Sequence, residues 1–228
     1  MQIKVKVCGM RERYNIEALC QLPIDFIGLI FYKKSSRFME AEGVVVDFLK
    51  TDFKSKEIYP QKINKVGVFV NEDLDKLIEK VVEYHLDYVQ LHGDENVFYC
   101  EKLRAAGIKI IKAFPVDEHF SFTNLKAFEY YCDYFLFDTK GKLPGGNGLR
   151  FNWKVLKKYE GNTPFLLSGG LAAGMEDDII HFKHPQFCGI DLNSGFENTP
   201  GFKNVDLLSD FIYKIKKELK GQGKDWGG

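Results

Sequence analysis

The chain has no surplus of charge. Its 32 Lys+Arg and 32 Asp+Glu residues give a formal net charge of zero, which argues against nucleic acid or an anionic membrane as partner. No apolar run approaches the roughly 18 residues of a membrane span. Met1-Gln2-Ile3-Lys4-Val5-Lys6 reads as the opening of a strand rather than a signal peptide. The five cysteines (Cys8, Cys20, Cys100, Cys132 and Cys188) are odd in number, and none lie in a C-x-x-C pair. They read as free thiols in a reducing cytoplasm, neither a disulfide frame nor a zinc site. Without H-x-H, H-E-x-x-H or a carboxylate cluster no metal is expected. Without G-x-G-x-x-G after the first strand a dinucleotide is not expected either; the chain reads as needing no cofactor. No repeat, low-complexity block or linker divides it, so one domain is expected over residues 1–220. The glycine-rich tail 221–228 is expected to be disordered.

What is present is a large apolar and aromatic content: 45% hydrophobic residues, with 20 Phe and 11 Tyr in 228 residues. Short apolar runs alternate with amphipathic stretches along the whole length. The runs are Ile3–Val7, Phe26–Phe31, Lys65–Val70, Tyr88–Leu91, Ile108–Phe114, Tyr134–Phe137, Phe165–Leu167 and Gly189–Leu192. Near-continuous apolar strands are covered on both faces. The helical stretches are Ala41–Phe53, Leu74–Val82, Val97–Ala106, Leu125–Tyr131, Trp153–Tyr159, Met175–Phe182 and Val205–Leu219. Alternation of this kind makes a parallel sheet, and eight strands close it into an α/β fold, a single (β/α)8 barrel. The loop Lys54–Asn64 belongs at the bottom of the barrel. Thr139–Asn152, with Pro144-Gly145-Gly146-Asn147-Gly148, belongs at the top, where a glycine-rich loop can act as a lid.

Two glycine stops end the last two strands, Leu167-Ser168-Gly169-Gly170 and Leu192-Asn193-Ser194-Gly195. Bare backbone N–H groups at such stops approach an anion closely, and barrels of this kind hold a substrate phosphate there. A short helix after Leu192 is expected to help. The other candidates stand at strand ends: Cys8 after the first, Ser35-Ser36-Arg37 after the second, Asn71 after the third, and Gln90, His92 and Gly93 at the fourth. Lys112 lies in the fifth, Asp138 follows the sixth and Asp191 lies beside the last stop. A mouth-facing cysteine beside a cation such as Arg37 is a candidate base or nucleophile. Asp138, behind an aromatic strand, is a candidate acid or a loop cap. Arg37 suits a carboxylate, a phosphate or a surface salt bridge. His92 either faces a ligand or is hydrogen-bonded at its strand end.

Several blocks resemble the phosphoribosylanthranilate isomerase family, in family order and over nearly the whole chain. They are Lys6-Val7-Cys8-Gly9-Met10; Asp25–Phe31 with Ser35-Ser36-Arg37; Val66–Asn71; Val89-Gln90-Leu91-His92-Gly93-Asp94-Glu95; Phe137-Asp138-Thr139 with Gly145–Gly148; Ser168–Leu171; and Gly189–Glu197 with Pro200-Gly201. The resemblance implies a cofactor-free Amadori rearrangement in tryptophan biosynthesis. N-(5'-phosphoribosyl)anthranilate would become 1-(2-carboxyphenylamino)-1-deoxyribulose 5-phosphate. It also implies Asp138 as general acid, Cys8 as general base and Arg37 on the anthranilate carboxylate. His92 and Asp191 would join Gly169, Gly170, Ser194 and Gly195, which hold the phosphate, in binding the substrate. Such barrels are monomers or homodimers. Asn193, where the family usually has a small residue, bears on phosphate affinity. Asn204, where it usually has Asp, should matter little. The related histidine-pathway sugar isomerase, with paired aspartates, is disfavoured by Cys8, and a silent binding barrel by retention of Cys8, Arg37 and Asp138 together.

Overall fold

The computed structural model describes residues 3–39, 44–51, 53, 59–139 and 152–221. Eight parallel strands close a barrel in chain order: β1 (Lys4–Cys8), β2 (Phe26–Ile30), β3 (Asn64–Phe69), β4 (Tyr88–Leu91), β5 (Lys109–Val116), β6 (Tyr134–Thr139), β7 (Phe165–Leu167) and β8 (Phe187–Leu192). All eight fall on the apolar runs. The helices are α1 (Arg13–Leu19), α2 (Val44–Leu49), α3 (Leu74–Glu83), α4 (Val97–Ala105), α5 (Glu176–His181) and α6 (Val205–Gly221). None of the described helices is long and apolar enough to cross a membrane. The glycine-rich 144–148 stretch, residues 54–58 of the 54–64 loop, the first residues of the expected second helix and the tail beyond Gly221 lie outside the described residues.

Alternation sorts the strand side chains. Phe26, Val66, Ile111, Ala113, Leu136, Leu166 and Cys188 fill the barrel, while their sequence neighbours pack outward against the helices. At the N-terminal end three rings make a floor. Phe26 meets Tyr88 and Tyr134 at centroid distances of 5.5 and 6.0 Å, and the two tyrosines lie 6.1 Å apart. An aspartate precedes each ring and clamps the strand before it. Val5, Lys65 and Ile110 each donate a backbone N–H, at 2.9 Å, to the carboxylate of Asp25, Asp87 and Asp133. The same three aspartates return their own N–H groups to the carbonyls of those residues. Each strand start is thereby paired twice where the ladder would otherwise leave its groups open.

Two expected helices are not α-helical. Thr123–Ala127 and Trp153–Lys158 are 3₁₀ turns. Large rings fill the width that two α-helices would have covered. Phe114 meets Phe135 edge-on at 5.2 Å, Phe137 lies 4.9 Å from Phe165, and Tyr159 packs 5.4 Å from Phe137. Phe165 is fully buried at the head of the three-residue β7. Phe165→Ala should therefore lower unfolding free energy by about 3–5 kcal/mol through the cavity it leaves. Tyr130→Ala, at a ring 82% exposed, should change it by no more than about 0.5 kcal/mol. Urea titration of the two variants checks this; equal midpoints would show that the ring cluster is not what covers this side of the barrel.

Candidate active site

The C-terminal mouth is built on a buried ion pair. Lys6 points inward from β1, is fully buried, and places Nζ 2.8 Å from Asp191 Oδ1 on the neighbouring β8. Asp191 Oδ2 accepts from Ser168 Oγ at 3.4 Å. Burial alone would push the Lys6 ammonium down, but Asp191 and the Cys8 sulfur outweigh it and hold its pKa above the ordinary lysine value. Asp191, expected to bind substrate, is thus first the counter-ion of Lys6.

Two residues along β1, on the same inward face, stands Cys8. It is 3% exposed and in register with Gly28 of β2. A Cβ on Gly28 would lie 2.6 Å from the Cys8 sulfur, so the glycine makes room for the thiol. Arg37, the cation expected beside Cys8, is engaged elsewhere; Lys6 is the main cation acting on the sulfur, with Lys203 behind it. Burial dominates even so, and the thiol is pushed up rather than down. The other four cysteines are free and buried, and Cys188 donates to the Phe165 carbonyl at 3.2 Å.

Asp138 ends β6 and His92 follows β4. His92 Nε2 lies 3.3 Å from Asp138 Oδ2, and His92 Nδ1 is 2.8 Å from Gln90 Nε2. The ring thus bridges the Gln90 amide and the Asp138 carboxylate. Asp138 Oδ1 accepts the Thr139 N–H at 2.8 Å. Asp138 therefore caps its own loop and pairs with His92 at once. Lys112 and Asn71 do not reach this group. Lys112 is buried on the outer face of β5, bonding Glu95 Oε2 at 3.1 Å and the Gly93 carbonyl at 2.8 Å. Asn71 Oδ1 accepts the Asp94 N–H at 2.8 Å. Both brace the loop that follows His92.

The two glycine stops meet. Gly169 and Gly170 take φ of +85° and +66°. Ala172 and Gly195 form a parallel bridge, and a Cβ on Gly195 would lie 2.2 Å from the Leu171 carbonyl. A Cβ on Gly169 would lie 2.8 Å from Asp138 Oδ1, so this glycine serves the carboxylate as well as any anion. No helix follows Leu192 directly. Residues past Ser194 make a two-stranded ribbon, β9 (Glu197–Thr199) and β10 (Phe202–Lys203), before α6. Asn204 caps α6, accepting the Leu207 N–H at 3.0 Å.

The ribbon supplies what holds Arg37. Arg37 Nε and Nη2 grip Glu197 at 2.9 and 2.7 Å. Lys203, fully buried as a side chain, donates to the same carboxylate and to Asn193 Oδ1 at 2.8 Å. Asn193 thus turns toward Lys203. Burial would raise Glu197, but Arg37 and Lys203 hold its pKa below the ordinary carboxylate value. Lys6, Glu197 and Lys203 escaped the sequence reading. Lys6 carried a signal, a charge two residues before Cys8 in an apolar strand. Glu197 closed one of the blocks of resemblance without being read as a site residue, and Lys203 carried no signal; only the ribbon's turn brings both under Arg37.

A sequence model of the family described as N-(5'phosphoribosyl)anthranilate (PRA) isomerase matches residues 5–214. The N-(5'-phosphoribosyl)anthranilate isomerase of Parabacteroides distasonis is 46% identical over 211 residues, covering 92% of each chain. The crystal structure of phosphoribosyl anthranilate isomerase from Thermotoga maritima superposes with a TM-score of 0.77 at 28% identity, over 94% of this chain and 99% of that one. A structure of such an isomerase with reduced 1-(o-carboxyphenylamino)-1-deoxyribulose 5-phosphate gives 0.76 at 27% identity, over 94% and 99% of the two chains.

The upward shift of Cys8 has a direct readout. The thiolate ultraviolet absorbance lost in Cys8→Ser should appear only above the pH at which an exposed cysteine ionises. A midpoint at or below the ordinary value would mean that Lys6 outweighs burial.

Proposed function

The chain belongs to the N-(5'-phosphoribosyl)anthranilate isomerase family, and on that footing we propose that it isomerises N-(5'-phosphoribosyl)anthranilate to 1-(2-carboxyphenylamino)-1-deoxyribulose 5-phosphate in tryptophan biosynthesis. The observation that carries this reading is the order of groups around one mouth. Cys8 on β1 and Asp138 on β6 are separated by β7 and β8, and these are the two strands that end in bare glycine backbone. A phosphate seated at Gly169, Gly170, Ser194 and Gly195 places its sugar between the carboxylate and the thiol.

The chemistry then divides between the two sides. Asp138, held beside His92, acts as general acid and gives a proton to the furanose oxygen. The C1'–O bond breaks as the anthranilate nitrogen forms an iminium. Cys8, as thiolate, takes the C2' proton; the electron pair becomes the C1'–C2' double bond and the nitrogen is neutralised. Ketonisation adds a proton at C1' and removes one from the C2' hydroxyl, which restores both groups. The iminium is cationic and next to the sulfur when the thiolate is needed, so the bound intermediate favours an ionisation that the buried free thiol resists. Lys6 stands behind the same sulfur and Asp191 keeps Lys6 charged. Arg37 offers Nη1 and the second Nη2 hydrogen to the anthranilate carboxylate. Its other edge is held by Glu197.

Purified protein supplied with freshly made phosphoribosylanthranilate should quench the anthranilate fluorescence as it turns over. Cys8→Ser and Asp138→Asn should each lower kcat/KM by at least ~10²-fold, with little change in melting temperature. Wild-type turnover by Cys8→Ser would overturn the proton assignment. Absence of turnover by the wild-type protein would overturn the reaction.

A further inference from the structure

Arg37 and Glu197 alone make a neutral pair, a poor lure for a second carboxylate. The residue that changes this balance is Lys203. Its ammonium lies behind Glu197, with the side chain fully buried, against 5% exposure for Glu197 and 14% for Arg37. The three charges sum to one positive, and the exposed end of the row is the guanidinium. The row is rigidly built. Asn15 of α1 exchanges two hydrogen bonds with the Lys203 backbone, both 2.9 Å. Glu197 also accepts the Gly201 N–H at 3.1 Å. Asn193 Oδ1 takes a further Lys203 proton, and it fits there because Gly9 has no side chain; a Cβ on Gly9 would lie 2.9 Å from that oxygen and 2.7 Å from Arg37 Cδ.

Arg37 is also edge-selected. Nε and Nη2 are committed to Glu197, while among the described residues Nη1 has only Ser36 Oγ at 3.5 Å. The free end is a forked donor of fixed direction.

We propose that Lys203, seated by Asn193, is a specificity-determining positioning residue: it cancels the charge of Glu197 so that the Glu197-anchored Arg37 remains a net cation and selects arylamine substrates bearing a carboxylate beside the nitrogen. The proposal rests on Arg37 as the carboxylate site. Lys203 touches no substrate atom; it acts through Glu197 and Arg37.

The test compares kcat/KM for phosphoribosylanthranilate with that for phosphoribosylaniline, which lacks the carboxylate. The ratio of the two isolates carboxylate recognition from the proton chemistry. Lys203→Met should reduce the ratio about tenfold or more, because the row becomes neutral. Glu197→Gln/Lys203→Met, which restores one net positive charge and leaves no unpaired buried ion, should recover most of it. Asn193→Ser should reduce the ratio by a smaller factor. A Lys203 that merely fills space would not be rescued by neutralising Glu197. Should Lys203→Met fail to fold, the double variant and Asn193→Ser decide: a double variant with its ratio collapsed, or Asn193→Ser with a wild-type ratio, overturns the proposal. So does a folded Lys203→Met with a wild-type ratio. Arg37→Ala separates the two levels. A ratio unchanged in Arg37→Ala sinks the carboxylate site itself, whereas a ratio that collapses there but survives in Lys203→Met sinks only the role of Lys203.

Discussion

The Lys6–Asp191 pair is the constraint on which the mouth depends. It spans the seam where the first strand meets the last, with Lys6 fully buried and Asp191 nearly so. Removing either partner would leave the other ionised and unpaired, a loss of about 3–5 kcal/mol. Replacing both by apolar side chains would keep the barrel, by the same argument, but take away the cation behind Cys8. The pair is therefore better explained by what it does to the sulfur two residues along than by the stability it contributes.

The same device recurs at two other places around the mouth. Lys112 with Glu95 braces the loop after β4 at 3.1 Å, and Lys203 with Glu197 braces the ribbon after β8. Each of these ammoniums also bonds uncharged oxygens, the Gly93 carbonyl in one case and Asn193 in the other. Three of the buried lysines, each with one acid, thus stand at the mouth end of the barrel. Each pair stands next to a candidate site residue: His92 above Lys112, Arg37 against Glu197, Cys8 beside Lys6. The opposite end is closed by rings and aspartate clamps, one of which, Asp25, also faces Lys216 at 3.7 Å. Stability and chemistry are thus assigned to opposite ends of the same strands.

The sequence by itself determined the barrel. Apolar runs alternating with amphipathic stretches make a parallel sheet covered on both faces, eight such strands close it into a barrel, and that alternation is local information. It determined the glycine stops as well, because a backbone with positive φ and no room for a Cβ leaves glycine at those positions. It also marked Cys8, Asp138, His92 and Arg37 as strand-end residues. The two 3₁₀ turns were not legible, since Leu125–Tyr131 and Trp153–Tyr159 have helical spacing but are shortened where phenylalanine rings from β5, β6 and β7 occupy the space beneath them. The tertiary structure alone decided partners. Lys6 finds Asp191 across 185 positions, and Arg37 finds Glu197 across 160. It also decided that the cation beside the thiol is Lys6 and that Asn193 faces a lysine. Pairing of this kind depends on which side chains the closed barrel and the folded ribbon bring within a few ångströms, and burial then fixes their charge states; neither distance nor burial is a property of a residue's neighbours in sequence.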